Sequence, residues 1–585
     1  MHSNKDIVHL LKSVAAAYTL TGAIRFRVIA YEKAADAVEH LTQEVYDVWQ
    51  NGHLTDVDGI GPSLQKHLDE YFKNPKGSYL ETQLSKIPAP TYELMRAPGI
   101  GPKKAYRIVK EFNLADPATV FEDVKKLASQ NKIAELEGFG EKSEQDILKA
   151  IGIYEERGLK EERMTLPTAT QLARDVMEHL SKNKHVKNSE ALGSFRRKAP
   201  TIGDIDIVVV CEPEHAKDVL EHFRSYPGKL TVETQGDIES SIMVTGGKRV
   251  DVRIISENQY GSMLQYFTGN KAHNIKLREF ALKKGYSLNE FGIKEVETGK
   301  VHSFSTEEAF YEFLGVPWIS PEIREGSDEI KRALANTLPD LPHVRDIKGE
   351  FHVHSSFDVV PSHDLGADSI EDMVAAAHEL GYEYLALSEH NPAMGKLSTE
   401  EIVQIVKSKA EAIKKIKSPV HLFNSLEIDI QPDGSLALPD EAFQYLDMCV
   451  VSIHSSFTQP RDAMTKRILK ALAYPKVKVM GHPTGRLLGK REEIEADWDA
   501  IFDFCKEKKI ALEINSSHER LDLPEGLVKR AVENGNIFVI DTDSHAASDM
   551  DSMEYGIYVA RRGWAEKSDI MNTYPKDHVI KWITG

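Results

Sequence analysis

At 585 residues, 41% hydrophobic and 28% charged, the chain has ordinary globular composition and is too long for one hydrophobic core, so three or more domains are expected. No apolar run reaches membrane-spanning length, the start MHSNKDIVHL lacks a signal pattern, and Cys211, Cys449 and Cys505 form no CxxC pair, which excludes disulfide frameworks and thiolate zinc fingers and fits a reducing cytoplasm. The net charge of −18 does not exclude nucleic acid, because carboxylates gathered around divalent ions make an enzyme acidic while backbone N–H groups still grip phosphates.

Helical periodicity dominates the start, in DIVHLLKSVAAAYTL and FRVIAYEKAADAVEHL. One pattern then recurs three times, about 40 residues apart: Val57-Asp58-Gly59-Ile60-Gly61, Ala97-Pro98-Gly99-Ile100-Gly101 and Leu136-Glu137-Gly138-Phe139-Gly140, each followed by a helical segment. Glycine admits positive φ and close backbone approach. A G-h-G turn opening a helix therefore aims several N–H groups at one spot, which suits a phosphate oxygen. These turns resemble helix-hairpin-helix DNA-binding motifs, and Gly59, Gly61, Gly99, Gly101, Gly138 and Gly140 are the candidate DNA contacts. Contacts of this kind follow the backbone and carry no sequence information.

After a helix at about 170–184 comes ALGSFRRKAPTIGDIDIVVV. Asp204 and Asp206 stand two apart at the head of a β-branched run, so on a strand they share a face. A second strand, KRVDVRII, supplies Asp251. Three carboxylates on adjacent strands suit two Mg²⁺ ions about 3.5–4 Å apart, the arrangement for in-line phosphoryl transfer. Gly193, Ser194, Arg196 and Arg197 just upstream are equipment for cradling phosphates.

This segment resembles the nucleotidyltransferase palm of DNA polymerase beta and the wider family X, and LQYFTGNKAHNIKLREFALKKGYSLNEFGI resembles that family's thumb. The resemblance implies that Gly193, Ser194, Arg197 and Gly203 bind the triphosphate. It also implies that Tyr266, Phe267 and Gly269 line the sugar pocket, that Asn274 meets the incoming base edge and that Arg278 meets the template strand. Lys271 stands where the beta enzyme has an acidic residue. In GIGPSLQKHL the position of the family's Schiff-base lysine reads His67, with Lys66 beside it, so lyase activity is not expected.

From about residue 345, strands alternate with helices: FHVHSS, YEYLALSEH, VHLFNSLEIDI, DMCVVSIHSS, KVKVMGHP, IALEINSS and FVIDTDSH. Seven repeats predict a closed parallel barrel. Nearly every strand ends in a ligand type: His352, His354, His390, Glu427, His454, His482, Asp543 and His545, which suit Zn²⁺, Mn²⁺ or Fe. This unit resembles the polymerase-and-histidinol-phosphatase (PHP) domain, whose cluster holds up to three metals and supports 3′→5′ exonuclease, 3′-phosphatase or abasic-site endonuclease activity. That family places an Asp soon after the HxH pair. Here the loop HVHSSFDVVPSHDLGADS is longer, and Asp364, His363 and Asp358 all stay open for that role, with Asp364 aligning best. Arg486, in GHPTGR, is a candidate phosphate contact.

Palm-thumb followed by PHP is the arrangement of bacterial family X DNA polymerases. The expected fold is multidomain: a lyase-like helical domain at 1–80, helix-hairpin-helix fingers at 81–160, an α+β palm at 161–258, a thumb at 259–325, a linker at 326–347 and a (β/α)7 barrel at 348–585. Expected partners are gapped or primer-template DNA and dNTPs, with Mg²⁺ in the palm and Zn²⁺ or Mn²⁺ in the barrel. The expected setting is a cytoplasmic monomer. A DNA-end scaffold without synthesis, or a transferase acting on another acceptor such as RNA, are the competing readings.

Overall fold

The computed structural model describes residues 4–585 apart from 24, 40–44, 51–53, 55, 56, 58, 59, 98, 137, 160–162, 245, 246 and 489. Two amphipathic helices, α1 (Asn4–Leu20) and α2 (Arg25–Glu39), pack with α3 (Pro62–Lys73) around Leu11, Val14, Ala35, Leu64 and Leu68. A separate core holds α4 (Pro102–Glu111) and α5 (Glu141–Leu159). In α4, proline supplies the preset φ of a first turn and Ala105, Ile108 and Val109 form the buried stripe.

The three glycine turns share two backbone hydrogen bonds. The residue between the glycines donates its N–H to the carbonyl three residues back: Ile60 to Val57 (3.0 Å), Ile100 to Ala97 (3.2 Å) and Phe139 to Leu136 (2.9 Å). The second glycine of each then accepts the first helical bond, from Gln65, Ala105 and Glu144. Gly99 and Gly138 take φ of +81° and +83°, a region closed to most residues, while Gly59 lies outside the described residues.

The palm is a five-stranded sheet of β1 (Asn188–Ala191), β2 (Asp204–Val210), β3 (Lys229–Gln235), β4 (Glu239–Val244) and β5 (Lys248–Ile255), in the order β1-β2-β5-β4-β3. The apolar run Ile207–Val210 is buried because β2 lies inside the sheet with α6 (Leu166–Ser181) against it. Strands β2 and β5 are parallel neighbours, with Asp206 paired to Asp251. A short helix, α7 (Gly193–Arg196), precedes β2.

The thumb follows as α8 (Tyr260–Thr268), α9 (Lys271–Leu282) and α10 (Glu307–Leu314). A buried clasp ties thumb to palm: Glu307 takes Arg324 Nη1 at 2.5 Å and Arg196 Nη1 at 3.1 Å, and Trp318 Nε1 donates to it at 2.9 Å. Residues 326–347 differ from the expected linker. They contain helix α11 (Glu329–Leu334), and Ile330, Ala333 and Leu341 are buried in the thumb core together with Trp564 of the barrel. Their apolar side chains are there because this stretch completes a core rather than spans a gap.

The C-terminal unit is parallel throughout: β6 (Gly349–Val353), β7 (Tyr384–Leu387), β8 (His421–Asn424), β9 (Glu427–Asp429), β10 (Cys449–Ser452), β11 (Val477–Met480), β12 (Ala511–Asn515) and β13 (Phe538–Asp541). The segment VHLFNSLEIDI forms β8 and β9 as two halves of one broken strand, one half in each run of the sheet. Bridges from His390 to Glu427 and from Val353 to Ser544 join the runs and close the barrel, giving the expected seven staves. Among the described residues no helix is long and apolar enough to cross a membrane.

Candidate active sites

In the palm, Asp204 and Asp206 share one face of β2 and Asp251 lies beside Asp206 on β5. Arg249 Nε approaches both Asp251 oxygens, at 3.0 and 2.9 Å, and the Ser241 hydroxyl donates to the same carboxylate from β4. Burial, then the charges of its neighbours, pushes the Asp206 carboxyl well above the usual range. Asp204 is raised by burial and then by Asp251. Three carboxylates on two adjacent strands, with Arg249 paired to Asp251, form a donor set of the kind hard divalent cations take. Gly193, at φ +58°, is part of this cradle: a Cβ there would stand 2.6 Å from Asp206 Oδ2.

In the barrel, Glu427 is the hub. Its Oε2 lies 3.3 Å from His352 Nε2, 3.7 Å from His354 Nε2 and 2.9 Å from His390 Nδ1; its Oε1 lies 2.8 Å from His482 Nε2 and 3.3 Å from His454 Nε2. Asp543 Oδ1 is 3.2 Å from His354, and Asp364 joins His390 (3.2 Å) and His545 (3.5 Å) at the rim. Burial opposes charge on Glu427, yet His454, His352 and His390 hold its carboxyl well below the usual range. Burial lowers His354 to about 3; it opposes charge on His390 and His454 too, yet Glu427 raises these to about 10 and about 9. Buried His352 Nε2, both nitrogens of His354, His390 Nδ1, His545 Nε2 and Glu427 Oε2 make no hydrogen bond, although buried polar atoms normally do. His354 Nδ1 aside, these orphaned atoms belong to residues grouped closely enough to hold metal ions.

Further carboxylates orient the rings. Glu513 accepts from His352 Nδ1 at 2.7 Å and Asp429 from His454 Nδ1 at 2.7 Å, which turns each Nε2 toward Glu427.

Known sequence families match along the chain: a helix-hairpin-helix domain over 2–76, a SAM-like helix-hairpin-helix tandem over 52–115 and 92–152, the DNA polymerase beta thumb over 263–325 and the PHP domain over 350–517. The chain is 34% identical over 577 residues to the DNA polymerase/3′-5′ exonuclease PolX of Bacillus subtilis (strain 168), covering 98% of this chain and 97% of that protein. The chain belongs to the bacterial family X DNA polymerases. Arabidopsis thaliana DNA polymerase lambda is 24% identical over 352 residues, 55% of this chain and 62% of that protein.

In this family X polymerase the remaining expected residues fall as follows. Ser194 and Arg197 lie on and just after α7, and Gly203 sits beside Arg163 immediately before β2. Tyr266 and Phe267 end α8, each faced by a guanidinium, Arg278 at 5.3 Å and Arg253 at 5.0 Å. Asn274 donates to the Tyr266 carbonyl at 2.8 Å and accepts from Gln265 at 2.9 Å, bracing the YFTG turn, in which Gly269 packs against it. His67 is 2.7 Å from the Tyr31 hydroxyl and stacks on Tyr79 at 4.0 Å, while Lys66 is exposed.

The long barrel loop brings both His363 and Asp364 to the cluster. His363 Nε2 is 3.1 Å from Asp429, whereas Asp358 turns to the Val360 N–H. Arg486, the expected phosphate contact, is engaged within the protein. Its guanidinium binds the Arg520 carbonyl at 2.9 Å, the Leu521 carbonyl and Glu493 at 3.3 Å, so it holds a loop. Arg520 faces the cluster instead, with Nε 3.6 Å from Asp543 and a buried Nη1 without a hydrogen bond. Sequence reasoning missed Arg520, Asp429 and Glu513. Asp429 carried a signal: it stands two residues from Glu427 on one strand face, the rule that paired Asp204 with Asp206.

Proposed function

We propose that this chain fills short gaps in duplex DNA during repair, as a DNA-directed DNA polymerase, and that its barrel trims 3′ ends as a metal-dependent exonuclease, with 3′-phosphates and abasic sites as further substrates. The observation that carries the reading is the pairing of Asp206 with Asp251 on parallel neighbouring strands, with Asp204 on the same face. Asp204, Asp206 and Asp251 would hold two Mg²⁺ ions. In the barrel, Zn²⁺ or Mn²⁺ would sit between His352, His354, Glu427 and Asp543, between Glu427, His454 and His482, and among Asp364, His390 and His545. When bound, such ions activate the attacking hydroxyl or water and neutralise charge on the phosphoryl and leaving oxygens.

The chain's own groups do the positioning. Gly193, Ser194, Arg197 and Gly203 seat the triphosphate. Tyr266, Phe267 and Gly269 frame the sugar with Asn274 bracing their turn and facing the base edge, and Arg278 reaches the template. Gly59, Gly61, Gly99, Gly101, Gly138 and Gly140 track phosphates, beside exposed Lys103, Lys104 and Lys110 on α4. Arg520 orients the scissile phosphate at the barrel mouth. The protein works as a cytoplasmic monomer.

The test crosses two variants with two gapped substrates, one ending in a 3′-OH and one in a 3′-phosphate. Asp206→Ala loses synthesis and keeps 3′ trimming. Glu427→Ala loses metal content, trimming and use of the phosphate-blocked gap, and keeps synthesis from the clean end. Gap filling within about tenfold of wild type by Asp206→Ala would sink the two-metal assignment.

A further inference from the structure

The helix α12 (Met553–Arg562) belongs to the barrel by sequence, yet it reaches the polymerase site. On its barrel side it is seated tightly, since a Cβ at Gly556 would strike Ser516 and Ile540. On its other side Tyr555 and Tyr558 pack against the palm core. Lys198, next to the triphosphate turn, lies between the rings of Phe195 (5.1 Å) and Tyr558 (4.8 Å).

The last residue of the helix makes the decisive contacts. Arg562 is buried and donates from Nη1 to the Arg197 carbonyl at 2.9 Å and to Glu325 at 3.0 Å, and from Nη2 to Glu525 at 2.9 Å. Glu325 also accepts from Asn270 of the YFTGN turn at 2.7 Å. Arg197 competes for the same carboxylate, but only from 3.7 Å, and its buried Nε makes no hydrogen bond. Glu325 is therefore shared between two guanidiniums and holds the barrel's arginine more closely than the palm's.

We propose that Arg562 is a positioning residue for nucleotide binding in the palm. It fixes the backbone of the turn through the Arg197 carbonyl and keeps Glu325 from closing on the Arg197 guanidinium. Without Arg562, the unpartnered Arg197 Nε and the freed carboxylate pair with each other, and the cation that should meet the triphosphate is neutralised. This rests on the reading of Arg197 as a triphosphate ligand. It makes part of the barrel a component of the polymerase site, although the barrel supplies no atom to the chemistry there.

The experiment is steady-state single-nucleotide gap filling by the full-length protein, with 3′ trimming measured as a check on the barrel's fold. Arg562→Ala should raise the KM for dNTP about tenfold while kcat stays within about twofold, a coupling of ordinary size between linked sites. Adding Glu325→Gln should return KM toward wild type, because glutamine keeps an acceptor for Asn270 and removes the charge. An unchanged KM in Arg562→Ala overturns the proposal, and so does a raised KM that persists in the double variant. If Arg562→Ala loses both activities, Arg562→Gln, which retains bulk and a donor, is judged by the same KM criteria. Arg197→Ala run alongside separates the failures. If it leaves KM unchanged, the assignment of Arg197 falls. If it raises KM and the Arg562 variants do not, only the coupling falls.

Discussion

Replacing Gly193 with alanine adds one methyl group, and the geometry states where it goes. The new Cβ would stand 2.6 Å from Asp206 Oδ2, whereas ordinary contact begins at 3.4 Å, so the carboxylate must retreat by about 0.8 Å or rotate off β2's face. The backbone at φ +58° adds a penalty for any residue with a Cβ, roughly 1–2 kcal/mol. Asp206 sits at the centre of the carboxylate trio, and misplacement on the ångström scale at a reacting centre costs about 10²-fold in rate. Gly193→Ala should therefore lower kcat for filling a one-nucleotide gap by about 10²-fold, with the melting temperature down by only a few degrees. Rapid-quench single-turnover assays would place the loss in the chemical step, and 3′ trimming on the same preparation should match wild type. Turnover within about threefold of wild type would refute the reasoning, because the cradle would then tolerate a displaced carboxylate.

Acid stability should report the thumb clasp. Burial favours neutral Glu307, but Arg324 and Arg196 outweigh it and hold the carboxyl at about 2, below its ordinary 4.5, so the clasp's contribution is full above pH 4.5 and lost as pH falls toward 2. That shift corresponds to about 3 kcal/mol; in denaturant titrations followed by tryptophan fluorescence, the stability gap between wild type and Glu307→Gln should shrink across this window, and a constant gap would exclude the ion pair as its source. Aspartate at Gly101 or Gly140 meets open space, so the fold should survive while binding to duplexes of any sequence weakens; a loss confined to one sequence would contradict phosphate tracking. Borohydride should trap no covalent complex on a 5′-deoxyribose-phosphate end, since His67 cannot form an imine and Lys66 faces solvent; trapping abolished by Lys66→Ala would show the opposite.

Residues whose placement follows from local periodicity were readable before any coordinates. Asp204 and Asp206 announce themselves by a two-residue spacing at the head of a β-branched run, and the barrel ligands by recurring at strand ends. Both patterns survive because strands impose a fixed side-chain alternation. Glu513 also interrupts an apolar strand, ALEIN, but nothing local tells whether such a carboxylate faces a metal or the back of a histidine. Arg486 and Arg520 could not be ranked from sequence, since both lie in irregular loops and only tertiary packing decides which guanidinium is consumed by carbonyls. The stretch 326–347 reads as a spacer because its prolines mask a short helix, and its apolar residues gain meaning only once Trp564, more than 200 positions on, is placed beside them.

The closure of the barrel between Val353 and Ser544 orders events during synthesis of the protein. His352 and His354 emerge from the ribosome early, but Asp543, His545 and the stave that carries them come some 190 residues later. The helical domains and the palm sheet are complete long before that, and domains fold N-terminal first as the chain grows. A stalled or prematurely terminated chain thus holds a finished sheet with Asp204, Asp206 and Asp251 but half a barrel. Assembly of the barrel's ligand cluster waits on the stave Phe538–Asp541, long after the strands that carry the palm's carboxylates.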